Sequence, residues 1–205
     1  MASKPLADIR PYVLPDVINC PVPVVDQAIT SAAIELCKRT HAWRHTPAAV
    51  AAVEATTSYA FATPAGAKVE RVQAAWLDGK PLKVRNATDL LGVTDWLTKT
   101  GTPEYLVVLD DSNWRLYPLG AGSVDMLITL KPTRDATTID ADLFEAHVET
   151  IAAGALYRLQ EKPGKSWSSP DLAAWNKGQF ETGIADAEDR EFRHAPVRTA
   201  RPPLR

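Results

Sequence analysis

The chain has 205 residues, of which 45% are hydrophobic and 23% are charged, and its formal net charge at pH 7 is −2. This composition is typical of a soluble globular domain, and the slightly acidic balance argues against a generic nucleic-acid-binding protein, which would carry an excess of basic residues. Apolar runs such as Ala48–Val53 are too short to cross a bilayer, and Met1–Pro5 begins no apolar signal peptide, so we expect synthesis in a cytoplasm and no membrane segment.

The first predicted element is a helix that follows Pro21–Pro23 and ends near Trp43, before Pro47. Proline is tolerated in a first helical turn, because the N–H that it lacks would have been unpaired there. The apolar residues recur at the spacing of one helix face, and they are Val25, Ile29, Ala32, Ala33, Leu36 and Cys37.

A strand-rich segment follows, in which short runs of Val, Tyr, Trp and Leu are separated by turn residues. Asp78 and Gly79 both accept positive φ, which predicts a tight hairpin. Thr88–Leu97 is ambiguous, and we interpret it as a short helix. The predicted strands are Ser58–Phe61, Lys68–Leu77, Glu104–Leu109, Trp114–Pro118 and Val124–Leu130.

Helical periodicity returns at Asp142, which with Glu145 has the spacing of a capping box. Gly154 on this helix would let another helix approach closely. Lys162–Gly164 ends the helix, and Ser169–Asp171 begins a last helix with a cap residue, a first-turn proline and a first-turn acid. We expect this last helix to extend to about Phe192. The apolar face of the earlier helix comprises Phe144, Val148, Ile151, Ala155 and Leu159.

From this order we predict an α+β fold in which a small antiparallel helical bundle carries an inserted β-rich lobe and an extended C-terminal arm. The first helix has no helical neighbour in sequence and cannot bury its apolar face alone, so it should pack against the two C-terminal helices. The predicted division is a helical core at 1–43 and 135–193, an inserted lobe at 44–134 and an extended basic arm at 194–205.

The histidines and cysteines do not form a convincing metal or redox site. His41 and His45 are four residues apart, but they straddle the predicted end of the first helix and no glutamate follows as an HExxH motif requires. His147 is expected to be a partly buried structural residue. Cys20 and Cys37 lie in no CxxC pair, which favours two free thiols over a disulfide.

The remaining candidates for chemistry also have structural interpretations. Asp110–Asp111 lies between two strands, where Asp favours turns through hydrogen bonds to its own backbone, and adjacent carboxylates cannot flank a substrate as a catalytic pair does. Gly120–Gly122 resembles a phosphate loop only loosely, since no Lys-Ser/Thr pair and no helix follow it. We therefore predict that the protein is not an enzyme, with no catalytic residue, no cofactor and no metal.

The C-terminal segment has a distinctive composition. After Glu191 there is no acidic residue, and arginines alternate with prolines, which stop a helix and leave little apolar surface to bury. Three interpretations are a solvated chain end, an arm that folds onto a partner with carboxylates or carbonyl groups, and a nucleic-acid contact. The residues concerned are Arg193, Pro196, Arg198, Arg201, Pro202, Pro203 and Arg205.

Several blocks of the chain resemble phage head–tail adaptor (connector) proteins. The blocks cover most of the predicted helical part in a consistent order, whereas residues 44–129 match only in general character. They are Ile9–Ile29 (IRPYVLPDVINCPVPVVDQAI), Ala33–Thr40 (AIELCKRT) with Trp43, Leu130–Thr137 (LKPTRDAT), Ile151–Leu156 (IAAGAL), Lys162–Ala174 (KPGKSWSSPDLAA) and Phe180–Ile184 (FETGI).

The resemblance implies a structural protein of the virion, assembled in the host cytoplasm and located at the head–tail interface. It implies a homo-oligomeric ring of twelve copies beneath the portal protein, with tail or nozzle/stopper proteins on the other side and DNA passing through the channel without specific binding. It also implies that the C-terminal arm lies against the portal. The expected portal-binding residues are Arg193, Val197, Arg198, Arg201, Pro202, Leu204 and Arg205.

Two other classes of function remain open at this point. Some distant relatives carry a cell-wall-cleaving activity, so one alternative is a virion-associated peptidoglycan-degrading enzyme, although no residue here can be assigned to that role. The other alternative is a nucleic-acid-binding module. A zymogram with bacterial cell walls tests the first, and a salt titration of DNA binding tests the second, because binding through phosphates weakens steeply with salt.

Overall fold

The computed structural model describes residues 2–194, with side chains only as far as Arg190, and this part folds into an α+β structure with ten strands and three α-helices. Three 3-10 helices span Leu6–Tyr12, Leu14–Asp16 and Ala87–Leu90. In chain order the other elements are β1 (Ser3–Pro5), α1 (Val22–Thr40), β2 (Arg44–His45), β3 (Val50–Ala52), β4 (Tyr59–Ala60), β5 (Ala67–Leu77), β6 (Lys80–Asn86), β7 (Tyr105–Val108), β8 (Asn113–Tyr117), β9 (Gly122–Pro132), β10 (Thr138–Asp140), α2 (Ala141–Gln160) and α3 (Pro170–His194).

Eight strands form one curled sheet with the order β2-β9-β5-β6-β7-β8-β4, and β3 pairs with β9 next to β2. All pairs are antiparallel except β6 and β7. The sheet curls into a half-barrel. At its open side the Tyr59 hydroxyl on β4 donates to the Val53 carbonyl, 2.9 Å away, and accepts from the Val53 amide, 2.8 Å away. Since Val53 directly follows β3, the two edges of the sheet come close together. A separate two-stranded sheet pairs β1 with β10.

The two longest strands, β5 and β9, are neighbours in the sheet and confirm the strands predicted at Lys68–Leu77 and Val124–Leu130. They are joined along most of their length, with two bulges in the register of β5. The predicted hairpin at Asp78–Gly79 is also confirmed, since both residues have positive φ, 49° and 76°. Asp78 further accepts a hydrogen bond from the Ser123 amide at 2.8 Å, which ties the hairpin turn to the start of β9.

The two C-terminal helices occur where the periodicity predicts them, but the start of α2 differs from the prediction. Its N-cap is Asp140, whose side chain accepts hydrogen bonds from the amides of Asp142 and Leu143. The capping box expected at Asp142 is therefore wrong by two residues. The sequence pattern does not identify Asp140 as the N-cap, because Asp140 is also the last residue of strand β10.

The three helices pack against one another around Gly154 on α2, as its sequence suggests. A Cβ atom built on Gly154 would lie 2.7 Å from the Phe180 ring on α3 and 2.9 Å from Ala32 Cβ on α1. Only glycine therefore allows this approach. Arg39 on α1 donates two hydrogen bonds to the Glu181 carboxylate on α3, at 2.9 and 2.8 Å, and Arg158 on α2 pairs with Glu35 on α1.

The prediction that the fold is mainly a helical bundle is wrong, because the curled eight-stranded sheet is a principal element of the molecule. One hydrophobic core joins the helices to this sheet: Ile29 and Leu36 on α1, Ile128 on β9 and Ile151 on α2 belong to the same buried cluster. The physical reason is the length of β5 and β9. Their alternating apolar residues form an inner face too large to leave in water, and α1 contacts β9 instead of only the other helices.

The division of the chain into a helical core and an inserted lobe at 44–134 stays a prediction. α3 continues to His194, slightly beyond the predicted end at Phe192. Residues 195–205 of the predicted arm lie outside the described residues.

Candidate interaction surfaces

The residues considered for metal binding do not converge in the described part of the chain. His41 ends α1 in the left-handed conformation, with φ 54°, and His45 lies in β2. Among the described side chains, those of residues 2–190, there is no group of three or more His, Cys, Asp or Glu placed to hold a metal ion. Cys20 and Cys37 are free thiols in the buried core, and burial raises the pKa of Cys37 well above its ordinary value.

His147 is a buried residue of α2, with only 9% of its surface exposed. Burial lowers the pKa of its imidazole below the ordinary value, and the positive charge of Arg190 on α3 lowers it further. The ring is therefore held in its neutral form at pH 7. Although it is buried, His147 lines a cavity between α2 and α3, so it is not enclosed on every side.

Asp110 and Asp111 form the turn between β7 and β8, as their position in the sequence suggests. One carboxylate oxygen of Asp110 accepts hydrogen bonds from the amides of Ser112, at 2.7 Å, and Asn113, at 2.8 Å. The Asn113 side chain and these amides lower the pKa of Asp110. Asp111 forms an ion pair with Lys68 at 3.2 Å. Both carboxylates thus have structural partners.

Gly120–Gly122 is not a phosphate loop, because it leads directly into strand β9 and not into a helix. A Cβ atom on Gly120 would lie 2.6 Å from the Gly101 carbonyl and 2.6 Å from the Pro103 ring. The glycine is therefore required by close packing between two loops.

The side chains of the predicted portal-binding residues lie outside the described part of the chain. The backbone of Arg193 belongs to the last turn of α3, but its side chain and the whole of Val197, Arg198, Arg201, Pro202, Leu204 and Arg205 lie outside the described residues. The structure does give the position from which the arm leaves, which is the end of α3 beside the N-terminal half of α2.

Beside this exit point lies an acidic groove, which we define by Glu145, Glu149 and Thr150 on α2 and by Gly183 and Asp186 on α3. Its cavity has a volume of about 390 Å3. The floor is narrow because the two helices touch there: a Cβ atom on Gly183 would overlap the Thr150 side chain. The groove was not predicted, although the spacing of Glu145 and Glu149 on one side of a helix is visible in the sequence.

A second cavity, of about 950 Å3, lies where β5 and β6 separate. The two strands pair only beside their hairpin, from Ala75 to Leu77 on β5, and β6 then pairs with β7. Near one end of this cleft, Lys131 and Glu70 form an ion pair at 2.8 Å. Its lining contains charges of both signs.

One exposed apolar surface lies on the segment that connects β6 to β7. We call it the loop patch: Leu91, Val93 and Leu97, which are 72%, 38% and 53% exposed. The loop packs on the buried side chain of Arg115, which is only 2% exposed. Its guanidinium donates to the Leu97 carbonyl at 2.8 Å and lies 5.0 Å from the centre of the Trp96 ring. These contacts hold the backbone of the loop in place, while the apolar side chains of the loop patch remain exposed to solvent.

Four further exposed apolar side chains lie near the first turns of two helices, Ile18 and Val22 at α1 and Leu172 and Trp175 at α3. We call these four residues the helix-start patch. Trp175 remains 62% exposed and Ile18 71% exposed. Exposed tryptophan is uncommon on a monomer surface and is enriched where proteins bind each other.

A model of the SU10 adaptor protein family matches residues 6–201, which include all three α-helices and strands β2 to β10. No curated protein sequence matches the chain. Among the described residues, no helix is both long enough and apolar enough to cross a membrane.

Proposed function

Because the chain belongs to the SU10 adaptor protein family, a family of phage head–tail adaptors, we propose that it forms a ring between the portal and the tail. Membership makes it a structural adaptor protein of the virion that assembles with other virion proteins. The observation that carries the proposal is the extent of the match, since residues 6–201 contain nearly the whole described fold.

The proposed ring contains twelve copies, and DNA passes through its channel without specific binding. A closed ring of identical subunits needs two different surfaces on each copy, because every contact is head-to-tail. The loop patch on the sheet and the helix-start patch on the helices are separate exposed apolar surfaces, and both support such an assembly. Burial of such side chains contributes about 25 cal/mol per Å2 of apolar surface to an interface, from which the entropic cost of association is subtracted.

The arm is proposed to contact the portal through Arg193, Val197, Arg198, Arg201, Pro202, Leu204 and Arg205. Arginine side chains bind carboxylates through paired, charge-assisted hydrogen bonds. Every copy in the ring carries the same arm, so a weak contact per copy becomes strong when the ring docks as a unit. Tail or nozzle/stopper proteins would bind the opposite side of the ring.

The test is to mix the purified protein with its portal and measure the mass of the complexes. We expect one ring per portal, and deletion of residues 195–205 should sharply reduce binding while the melting temperature hardly changes. Charge reversal at Arg198 and Arg201 should act in the same way. The matched control reverses Lys165 and Lys177, which are exposed on the helical part, and should leave binding intact. If the deleted protein docks as well as the full chain, the arm has no part in portal binding.

A further inference from the structure

The cleft between β5 and β6 is bounded by two strand edges that have no neighbouring strand. Residues 67–74 of β5 pair with β9 on one side, whereas no described strand pairs with their other side. After Leu82, β6 separates from β5 and pairs instead with β7 through residues 83–86. An unpaired edge presents amide and carbonyl groups that can pair with another chain. The backbone pairing of the sheet is therefore interrupted at this cleft.

The hydrogen bonds of β6 show which of its backbone groups face the cleft. The Lys83 amide donates to the Glu104 carbonyl, 3.0 Å away, so the backbone of Lys83 faces β7. In a parallel pair, alternate residues bond to the neighbouring strand, so Arg85 also faces β7 and Val84 faces the opposite side. The amide and carbonyl of Val84 are thus turned toward the cleft, where no described strand pairs with them.

The cleft is closed at both ends, which limits the length of chain that it can hold. The hairpin at Asp78–Gly79 closes one end. At the other end, the Val69 amide donates to the Asp111 carbonyl at 3.3 Å. Residues 70–74 of β5 lie between these ends, a span of roughly 17 Å at about 3.3 Å per residue. A partner segment of about five extended residues matches this length.

The carboxylates that line the cleft all have partners within the chain. Two of them form ion pairs with lysines, and the other two accept hydrogen bonds from backbone amides. Their negative charge is therefore already engaged in holding the local structure. These residues are Glu70, Asp89, Asp110 and Asp111.

In contrast, three cations of the cleft have no carboxylate partner. Arg71, Lys83 and Arg85 are exposed, and none of them forms an ion pair with a described residue. The Lys83 ammonium lies over the Tyr105 ring, 5.6 Å from its centre. Arginine binds carboxylates through paired, charge-assisted hydrogen bonds. The unpaired charge around the cleft therefore favours an acidic ligand.

The side chains of β6 alternate between the core and the solvent along the cleft. Leu82 and Val84 are half-buried and pack against the hydrophobic core, whereas Lys83 and Arg85 are exposed. A strand placed beside β6 would alternate in the same way. Its inward side chains would extend the apolar contacts of Leu82 and Val84, and its outward side chains would lie beside the unpaired cations.

We propose that the cleft binds an extended segment of a partner protein, about five residues long, in which apolar and acidic residues alternate. Backbone hydrogen bonds to Val84 and to the free edge of β5 hold the segment, as in other cases where a peptide adds a strand to a sheet. Its carboxylates pair with Arg71 and Arg85, and its apolar side chains cover Leu82 and Val84. The inference goes beyond the proposed ring, and it holds or fails independently of portal docking.

The first experiment uses the full-length protein and a capped synthetic peptide, Thr-Glu-Val-Glu-Val-Glu-Thr, and measures hydrogen–deuterium exchange. With saturating peptide, the amides of Val84 and of residues 70–74 should exchange at least about tenfold more slowly, because exchange requires the new pairing to open. The same peptide N-methylated at both valines cannot pair along one of its edges and should give no protection. Equal protection by the two peptides, or protection by neither, would overturn the proposal. This comparison needs no variant to fold.

The second experiment tests the charge of the ligand. Arg71→Glu/Arg85→Glu should weaken binding of the fluorescently labelled peptide by at least about tenfold, because two attractive contacts become repulsive. The matched control, Arg134→Glu/Lys177→Glu, changes net charge equally at exposed positions outside the cleft and should leave the affinity unchanged. If both variants bind the peptide equally well, the cations of the cleft do not recognise it and the proposal is wrong.

Two further probes distinguish a peptide site from a general site for polyanions. A peptide with lysine in place of each glutamate should not protect Val84 from exchange. A short single-stranded oligothymidine should not protect it either, since a phosphate backbone has no amide or carbonyl groups that pair with a strand edge. Protection of Val84 by the oligonucleotide would identify a nucleic-acid site and contradict the proposal.

Discussion

At the level of single residues, two glycines of the C-terminal helices have opposite environments. Gly154 lies where three helices meet, with the Phe180 ring and Ala32 Cβ within 2.9 Å of a built Cβ atom. Gly178 on α3 has no atom within 4 Å of its built Cβ. The same substitution should therefore have opposite effects on stability at the two positions.

Gly154→Ala should lower the free energy of unfolding by about 1–3 kcal/mol, because the added methyl group forces the helices apart. Gly178→Ala should raise it by up to about 1 kcal/mol, because alanine favours the helix more than glycine does. Urea denaturation of the two variants checks both signs. If Gly154→Ala leaves the free energy of unfolding unchanged, α1 and α3 do not pack tightly against α2 at this point.

His147 gives a prediction about pH. Its pKa is lowered in the folded protein by burial and by Arg190, so between the folded and unfolded pKa values the unfolded chain binds more protons. Stability from this group is present above the unfolded value, near 6.5, and is lost as the pH falls below it. Acidification to roughly pH 5 should therefore destabilise the wild type more than His147→Gln. If the free energy of unfolding, measured by denaturant melts, depends on pH in the same way in the wild type and in His147→Gln, the pKa of His147 is not lowered.

At the level of secondary-structure elements, the start of α2 shows how a helix end depends on its surroundings. Asp140 closes β10 and then caps α2 through the amides of Asp142 and Leu143. Asp142 lies in the first turn of the helix, where a carboxylate interacts only with the helix dipole. Sequence spacing favoured Asp142 as part of the cap, and the structure assigns the cap to Asp140.

Asp140→Ala should therefore cost about 0.5–2 kcal/mol of stability, the usual effect of losing an N-cap side chain. Asp142→Ala should cost less than about 0.5 kcal/mol, since it removes no hydrogen bond to the helix end. Thermal melts of the two variants provide the measurement. A larger loss from Asp142→Ala would restore the capping box that the sequence suggested.

At the level of the whole molecule, one hydrophobic core connects the helices to the curled sheet. α1 contacts β9 on one side and the two C-terminal helices on the other. The arrangement leaves the loop patch and the helix-start patch uncovered, as expected of a subunit that completes its surface only in an assembly.

We propose that the helical segments nevertheless form a unit of their own, because α1, α2 and α3 contact one another directly. Replacing residues 44–134 by a short Gly/Ser linker should leave helical circular dichroism and cooperative unfolding. The free energy of unfolding should fall, since the face of α1 that contacts β9 would become exposed to solvent. Complete loss of helical signal would show that helices and sheet fold only together.

Features that depend on neighbouring residues could be predicted from the sequence. The apolar face of α2 follows from a period of 3.6 residues, the Asp78–Gly79 hairpin from tolerance of positive φ, and the turn at Asp110 from a carboxylate that reaches its own backbone. The resemblance to phage adaptors also came from short continuous blocks. The arm is predicted from a change of composition after Glu191.

Features that depend on residues far apart in the chain could not be predicted and emerged only in the folded molecule. The parallel pairing of β6 with β7, the order of the strands in the curled sheet, and the contact of α1 with β9 leave no local signal. The acidic groove arises because Gly183 lets α3 touch α2 at Thr150. Periodicity predicts which face of an element is apolar, whereas the partner that covers that face is chosen by packing over the whole molecule.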